Sequence, residues 1–226
     1  LIFGINRCCF KGLGWSDPTS ATSVLMDDAV VRALARWPSV PDVYGWLSLD
    51  RRGRWLLKGE TIGNEALREF INRNYFGLAD GAFVFQNGPQ RVYVALEAAP
   101  WVASLSGTGE LELHTGARLE TVTGAWVAET GDLYLSLSDG VAIVDDRDLE
   151  AISDTWVGAD GSSLTEDERE LRLEPLLEGG PRGSTSLAMR WAGQLISINA
   201  IRSAEIADQF GFIAEPVGAE PTKLSR

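Results

Sequence analysis

Five side chains in the first half of the chain have types and spacing suited to ligand recognition: Arg73, Asn87, Gln90, Arg91 and Glu97. Three of them fall in the run Phe85-Gln86-Asn87-Gly88-Pro89-Gln90-Arg91-Val92-Tyr93, which reads as a β-hairpin around Asn87-Gly88-Pro89. Amide and guanidinium groups fixed on such a hairpin would offer directed donors to an anion or a carboxylate. Arg73 and Asn74 precede the hairpin, and Glu97 follows its returning strand just before Ala99-Pro100-Trp101. A plainer reading stands beside this one. Asn, Gly and Pro make the turn by their own backbone preferences, and Glu97 pairs with a base such as Arg91.

Other reactive groups are scarce. His114 is the single histidine, in the strand-like Leu111-Glu112-Leu113-His114. Glu112 would share its face, but no nucleophile signature lies nearby, so His114 reads as structural. Gly107-Thr108-Gly109 lacks the third glycine, the lysine and the following helix of a phosphate loop, and reads as a turn. A calcium loop ending at Asp167 would need side-chain oxygens where Trp156 and Gly158 stand. Asp145-Asp146-Arg147-Asp148 reads as the acidic first turn of a helix rather than a cation site. Cys8 and Cys9 are adjacent, which is no redox pair, and with one histidine they build none of the usual zinc sites. No catalytic residue, metal or cofactor is therefore expected. An enzyme would have to use carboxylates, for example Glu97 with Glu112 or with an Asp of the later acidic stretch, in hydrolysis. A pocket holding two carboxylates about 5–9 Å apart, free of basic partners, would support it.

The elements that must hold these groups are short strands punctuated by helices. Alternation marks strands over 44–49, 54–58, 82–86, 91–97, 110–114, 118–121, 125–129, 133–137 and 141–144. Strands this close together imply meandering, mostly antiparallel sheet. Val30, Ala33, Leu34 and Trp37 recur at helical spacing behind Asp27-Asp28, with Pro38 as the stop. Asn64 caps a helix whose Leu67, Phe70, Ile71 and Tyr75 share a face. Thr165-Glu166-Asp167-Glu168 is a capping-box pattern, although Pro175 challenges the end of that helix. A last helix starts at Ser203. Trp46, Trp55, Trp101, Trp126 and Trp191 all fall in strand-like runs and read as core.

The chain reads as two related halves, a duplicated β-hairpin–helix–β-hairpin motif in an α+β fold. Trp46-Leu47-Ser48-Leu49 is echoed by Tyr134-Leu135-Ser136-Leu137, each followed by a glycine turn and an apolar return. Residues 83–94 lie without gaps over 187–198, with Gln90 on Gln194. The boundaries expected are 1–25 as an extension outside the domain, 26–125 as the first repeat and 126–216 as the second. The second repeat carries an acidic insertion at 158–183, and 217–226 forms a loose tail.

Composition narrows the function classes. The 226 residues are 45% hydrophobic and include eight Trp, which excludes a disordered chain. The sequence pI near 4.6 argues against a nucleic-acid partner held by phosphate contacts. No apolar run approaches the ~20 residues of a membrane helix, so no membrane partner is expected. The net charge of −12 belongs to one stretch: residues 128–178 hold 15 acids and 3 bases, and the remainder balances at zero. That stretch reads as a solvated face, or as a docking surface for a basic partner or a divalent-ion site. Arg7 and Lys11 interrupt the apolar residues before Met26, so no export signal is read there. Without 1–25 the chain would hold no cysteine, which fits a cytoplasmic location.

Two runs carry a family resemblance. Gly53-Arg54-Trp55-Leu56-Leu57-Lys58-Gly59-Glu60-Thr61-Ile62-Gly63-Asn64-Glu65-Ala66-Leu67-Arg68-Glu69-Phe70 resembles the opening signature of the bacterial family catalogued as domain of unknown function 1285. Arg91-Val92-Tyr93-Val94-Ala95-Leu96-Glu97-Ala98-Ala99-Pro100-Trp101-Val102-Ala103 is similar to its second signature. That family has Pro where Thr61 stands and Arg where Asn64 stands. These departures point to a neighbouring proteobacterial family. The resemblance implies an α+β fold of two repeated motifs and a regulatory or signalling role, with no catalytic residues to carry over. The function expected is a non-enzymatic binding or regulatory protein for a small molecule or protein partner. A carboxylate hydrolase and an acidic docking protein are the alternatives, and the sequence leaves the oligomeric state open.

Overall fold

A computed structural model of the chain describes residues 27–37, 40–179 and 186–218. The extension proposed at 1–25, the stop at Pro38, the end of the insertion and most of the tail lie outside the described residues.

The first half forms a six-stranded sheet from β1 (Val43–Leu49), β2 (Trp55–Leu57), β3 (Glu60–Thr61), β4 (Tyr75–Gly77), β5 (Phe83–Asn87) and β6 (Gln90–Leu96). Their spatial order is β3-β2-β1-β6-β5-β4. Helix α1 (Asp28–Arg36) precedes β1, and α2 (Glu65–Arg73) crosses between β3 and β4. Asn64 caps α2 as expected, its side chain accepting from the Leu67 N–H at 2.9 Å. Ile71 is the buried anchor of that helix, Leu67 is largely exposed, and Tyr75 has already entered β4.

Next come β7 (Trp101–Leu105) and β8 (Leu111–Leu113). The second half then supplies β9 (Gly124–Ala128), β10 (Leu133–Leu137), β11 (Gly140–Val144), β12 (Trp156–Gly158), β13 (Leu187–Trp191) and β14 (Gln194–Ile201). These build an eight-stranded sheet in the order β12-β13-β14-β9-β10-β11-β7-β8. Helices α3 (Leu149–Ser153), α4 (Glu166–Leu177) and α5 (Ile206–Phe210) complete the α+β fold. Thr165 and Glu168 form the capping box of α4 reciprocally, and α4 runs on through Pro175. The strand expected over 118–121 is reduced to one bridge between Glu112 and Arg118, where the turn at Gly116 returns the chain for two backbone hydrogen bonds, Leu113 N–H to Ala117 and Leu119 N–H to Leu111.

Both sheets are mixed. Most neighbouring pairs are antiparallel, but β1 with β6, β14 with β9, and β11 with β7 run parallel. The first two joins bring each half's outermost strands in sequence together at its centre. The echo read between 46–49 and 134–137 therefore joins unlike positions. The first run lies on β1, which has a parallel partner, whereas the second lies on β10, between two antiparallel ones.

Alternation along β10 shows how the halves pack. Leu133, Leu135 and Leu137 face a core closed by Ile152 of α3 and Leu176 of α4. Tyr134 faces the opposite way, into a core shared with Leu47, Trp55, Val94 and Leu96 of the first sheet. The second sheet is thus buried on both faces, and its inner face is the floor of the first half. Trp46 departs from the expected core set. Leu47 and Leu49 take the inner face of β1, so Trp46 points outward, 51% exposed, with the Lys58 ammonium 3.8 Å from its ring centroid.

Candidate functional site

In a parallel pair both strands end on the same edge of the sheet, so the residues that follow them emerge side by side. Strands β1 and β6 end at Leu49 and Leu96, and β9 and β14 end at Ala128 and Ile201. The four exits meet where the halves touch, around a cavity of about 260 Å³. Its polar wall comes from both halves: Arg51 and Glu97 from the first, and Thr130, Asp132, Tyr134 and Ser203 from the second. Its apolar wall comes from the segment after β14, with Ile206, Ala207, Phe212 and Ala214.

Arg51 organises the polar wall. Its backbone N–H donates to Glu97 Oε2 at 3.2 Å, and its guanidinium Nη2 donates to Asp132 Oδ1. That contact raises the arginine above its ordinary pKa. The other oxygen of Asp132 accepts from the Thr130 hydroxyl at 2.7 Å. Thr130 and Asp132 can approach in this way because Gly131 turns the chain with φ +86°, a conformation that disfavours side chains. Ser203 N–H donates to Glu129 Oε2 at 2.9 Å, and this bond holds the Glu129 carboxyl below its usual range.

Two hydroxyls in the wall have no hydrogen-bond partner among the described residues. Ser203 Oγ is shielded from solvent and unpaired. Tyr134 is 3% exposed, and its hydroxyl makes no hydrogen bond to any described residue. Burial first, and then the charge of Asp132, push the Tyr134 phenol up to about 12, so it stays protonated at neutral pH. A second cavity of about 330 Å³ lies on the other side of Phe212, with Leu78, Phe83, Pro100 and Phe210 in its lining.

The five sequence-derived candidates do not converge. Glu97 enters the cavity. Asn87, Gln90 and Arg91 sit at the far end of β6, about 20 Å away at ~3.3 Å per strand residue. Gln90 donates to the Pro41 carbonyl at 3.4 Å. The Arg91 Nε is buried without a partner, beside Tyr93, whose ring stacks on Tyr44 at 4.2 Å. Asn87 ends β5 on the exposed turn. Arg73 ends α2 and contacts Asp27 at 3.3 Å and Glu69 at 3.9 Å. Glu97 meets Arg51, not Arg91. Sequence reasoning missed Arg51, Thr130 and Asp132, since each stands in what reads only as a turn, and it treated Ser203 only as a helix cap.

His114 lies among Trp55, Tyr75 and Trp101, with ring centroids 5.4, 5.7 and 5.9 Å away. Its Nδ1 accepts from the Val102 N–H at 3.3 Å, while Nε2 is shielded and unpaired. Burial lowers its pKa to about 3, so the ring is neutral in the folded state. Among the described residues no group of His, Cys, Asp and Glu could hold a metal ion, and no helix is long and apolar enough to cross a membrane.

The acidic stretch is more occupied than its charge suggests. Of its 15 acids, Glu129, Asp132, Asp145, Asp146, Asp148, Asp154, Asp160 and Glu168 each bond a specific partner within the fold.

A family model described as a protein of unknown function (DUF2946) matches residues 26–217. Among solved structures, a DUF1285 family protein from Silicibacter pomeroyi DSS-3 is similar over 83% of this chain and 97% of its own, at 13% identity and a TM-score of 0.47. A second DUF1285 family protein, from Shewanella baltica OS155, matches 47% of this chain and 89% of its own, at 13% identity and a TM-score of 0.36. Both belong to the family whose signatures the runs at 53–70 and 91–103 resemble, while the matching family model is a separate one, in keeping with the departures at Thr61 and Asn64. No curated protein matches the chain.

Proposed function

The chain belongs to this DUF2946 family of proteins of unknown function, and from that premise we propose that it is a non-enzymatic binding protein whose ligand is a small molecule held between its two halves. One observation carries the reading. A cavity walled by both halves presents the Tyr134 hydroxyl, unpartnered among the described residues, together with the contact of Arg51 with Asp132. Protein groups left unpaired in a cavity favour a ligand that pairs them. Because the walls belong to different sheets, occupancy would tighten one half on the other, and this is the form a regulatory role would take.

The same geometry speaks against hydrolysis. Glu97 and Asp132 both line the cavity, but the Arg51 guanidinium pairs with Asp132, so the two carboxylates are not both free of a basic partner. We also infer that the halves arose by duplication. Each runs from a first strand through two more, a helix and a fourth strand to a closing hairpin. The last strand then pairs parallel with the first. The gapless match of 83–94 with 187–198 falls on β5–β6 and β13–β14, equivalent hairpins in that scheme, and α4 is the insertion of the second copy.

Native mass spectrometry of the full chain purified from its own host tests the binding reading. A retained small molecule that is lost from an Ala207→Trp variant, where the new ring fills the cavity, supports it. A bare chain, or a molecule retained equally by that variant, overturns it.

A further inference from the structure

We propose that the cavity between the halves selects a primary amine, a single ammonium group carried on a short apolar body. This rests on the reading of the cavity as a ligand site and names its ligand class.

The charges that line the cavity are Arg51, Glu97 and Asp132. Arg51 and Asp132 neutralise one another, and Thr130 occupies the second oxygen of Asp132. Glu97 is left with a backbone N–H from Arg51 as its hydrogen-bond donor and with no basic side chain bonded to it. Glu129, bonded to the Ser203 backbone, adds negative charge just behind the wall, moderated by Arg202, which lies outside the lining. With one base against two acids, the lining presents a ligand with a net negative charge that rests on Glu97. An anion would have to displace Asp132 from Arg51 and still face Glu97. A neutral alcohol would pair the hydroxyls but leave Glu97 unneutralised.

The remaining polar groups suit an ammonium. Three N–H donors on one nitrogen call for three acceptors. Glu97, the Tyr134 hydroxyl and the Thr130 hydroxyl, whose own proton goes to Asp132, are three acceptors in one cavity, and the Tyr134 hydroxyl lacks a partner among the described residues. Tyr134 is buried at its ring and open to the cavity at its hydroxyl end, where Asp132, Arg51 and Glu129 act on it. Ile206, Ala207, Phe212 and Ala214 provide an apolar surface for the rest of the molecule. Tyr134 and Phe212 are the two aromatic residues in the lining, fewer than the cage of rings that holds a quaternary ammonium.

Isothermal titration calorimetry on the full chain tests this with three probes of one shape: phenethylamine, 2-phenylethanol and 3-phenylpropionate. Saturable binding of phenethylamine, with the alcohol and the carboxylate at least tenfold weaker, is expected. Glu97→Gln keeps the acceptor for the Arg51 N–H and should weaken the amine at least tenfold while thermal unfolding of the free protein stays unchanged. Tyr134→Phe should weaken it severalfold. Equal or tighter binding of 3-phenylpropionate, no binding of phenethylamine, or an unaltered affinity in Glu97→Gln overturns the proposal. A neutral or anionic molecule retained in native mass spectrometry, and lost from Ala207→Trp, overturns the amine and leaves the site standing. A bare cavity overturns both.

Discussion

Arg52 and Asp146, 94 residues apart, meet as a bidentate pair, with Nε and Nη2 donating to the two carboxylate oxygens at 2.9 and 2.7 Å. The next residue back, Arg51, reaches Asp132 on a different turn of the second sheet. One β1–β2 turn thus clamps the halves at two points. The two points differ in environment. Arg52 and Asp146 are both over 40% exposed, whereas Arg51, itself 41% exposed, meets an Asp132 that is only 17% exposed. Exposed pairs contribute about 0–1 kcal/mol and are screened by salt. Double-mutant cycles in urea unfolding should give a coupling below about 1 kcal/mol for Arg52–Asp146, vanishing near 1 M salt. The Arg51–Asp132 coupling should be larger and persist in salt. Equal couplings with equal salt sensitivity would mean that the cavity-side contact is as solvated as the outer one.

The fold is expected to lose stability as pH falls through the histidine range, and His114 is the cause. Its folded pKa is about 3, below the ordinary value of about 6.5 that the unfolded chain would show. Between those values the unfolded chain binds a proton that the folded one excludes. The contribution is therefore present above about pH 6.5 and falls toward pH 3, at up to about 1.4 kcal/mol per pH unit. Glu129, Asp160 and Glu168, whose folded values are lowered, add their own loss only at lower pH. Comparing unfolding free energies at pH 7.5 and 5.5 isolates the histidine. His114→Gln should flatten that difference. A wild-type curve with no slope there would show that the ring titrates normally. Gly53→Ala should destabilise the same cluster, since a Cβ there would lie 2.7 Å from the His114 Cβ.

What could be read beforehand follows from how local each signal is. The 83–94 and 187–198 runs are hairpins closed by their own turns, so alternation alone placed them. The parallel joins were not legible. β1 meets β6 across 40 and more residues, and nothing in either strand's alternation marks a parallel partner over an antiparallel one. Tyr134-Leu135-Ser136-Leu137 therefore matches Trp46-Leu47-Ser48-Leu49 in sequence, though it holds a different place in the sheet. The site was half visible for the same reason. Glu97 stands out beside a strand, but its partner Arg51 lies 46 residues earlier. Asp132 lies 81 residues after Arg51, and each sits in a turn whose sequence also serves to reverse the chain.

The insertion should answer to its cap. Thr165 Oγ1 accepts from the Glu168 N–H, and Glu168 Oε2 accepts from the Thr165 N–H at 2.8 Å. Helix α4 covers the outer core through Leu176. Thr165→Ala should cost about 1 kcal/mol of global stability. Hydrogen exchange across 166–177 should rise with it, if α4 unfolds together with the second sheet. Faster exchange confined to α4, with no change in global unfolding, would show instead that the insertion melts on its own.

Arg73 and its neighbour Asn74 separate a recognition role from an anchoring one. Asn74 is fully buried and accepts from the Asp27 N–H at 2.9 Å. Its amide nitrogen donates to the Phe70 carbonyl at 2.9 Å and to Asp27 Oδ2 at 3.3 Å. It therefore ties α1 to the end of α2, and Val30 of α1 is buried beside that tie. Removing it leaves buried groups unpaired, at a cost of about 1–3 kcal/mol for each. Asn74→Ala should lower the melting temperature markedly, whereas Arg73→Ala, which breaks only exposed contacts, should cost less than about 1 kcal/mol. Neither substitution should alter affinity for a ligand in the cavity beyond what lost stability explains. A large loss of binding in Arg73→Ala, with stability intact, would return the site to the hairpin end of the first sheet and away from Glu97 and Tyr134.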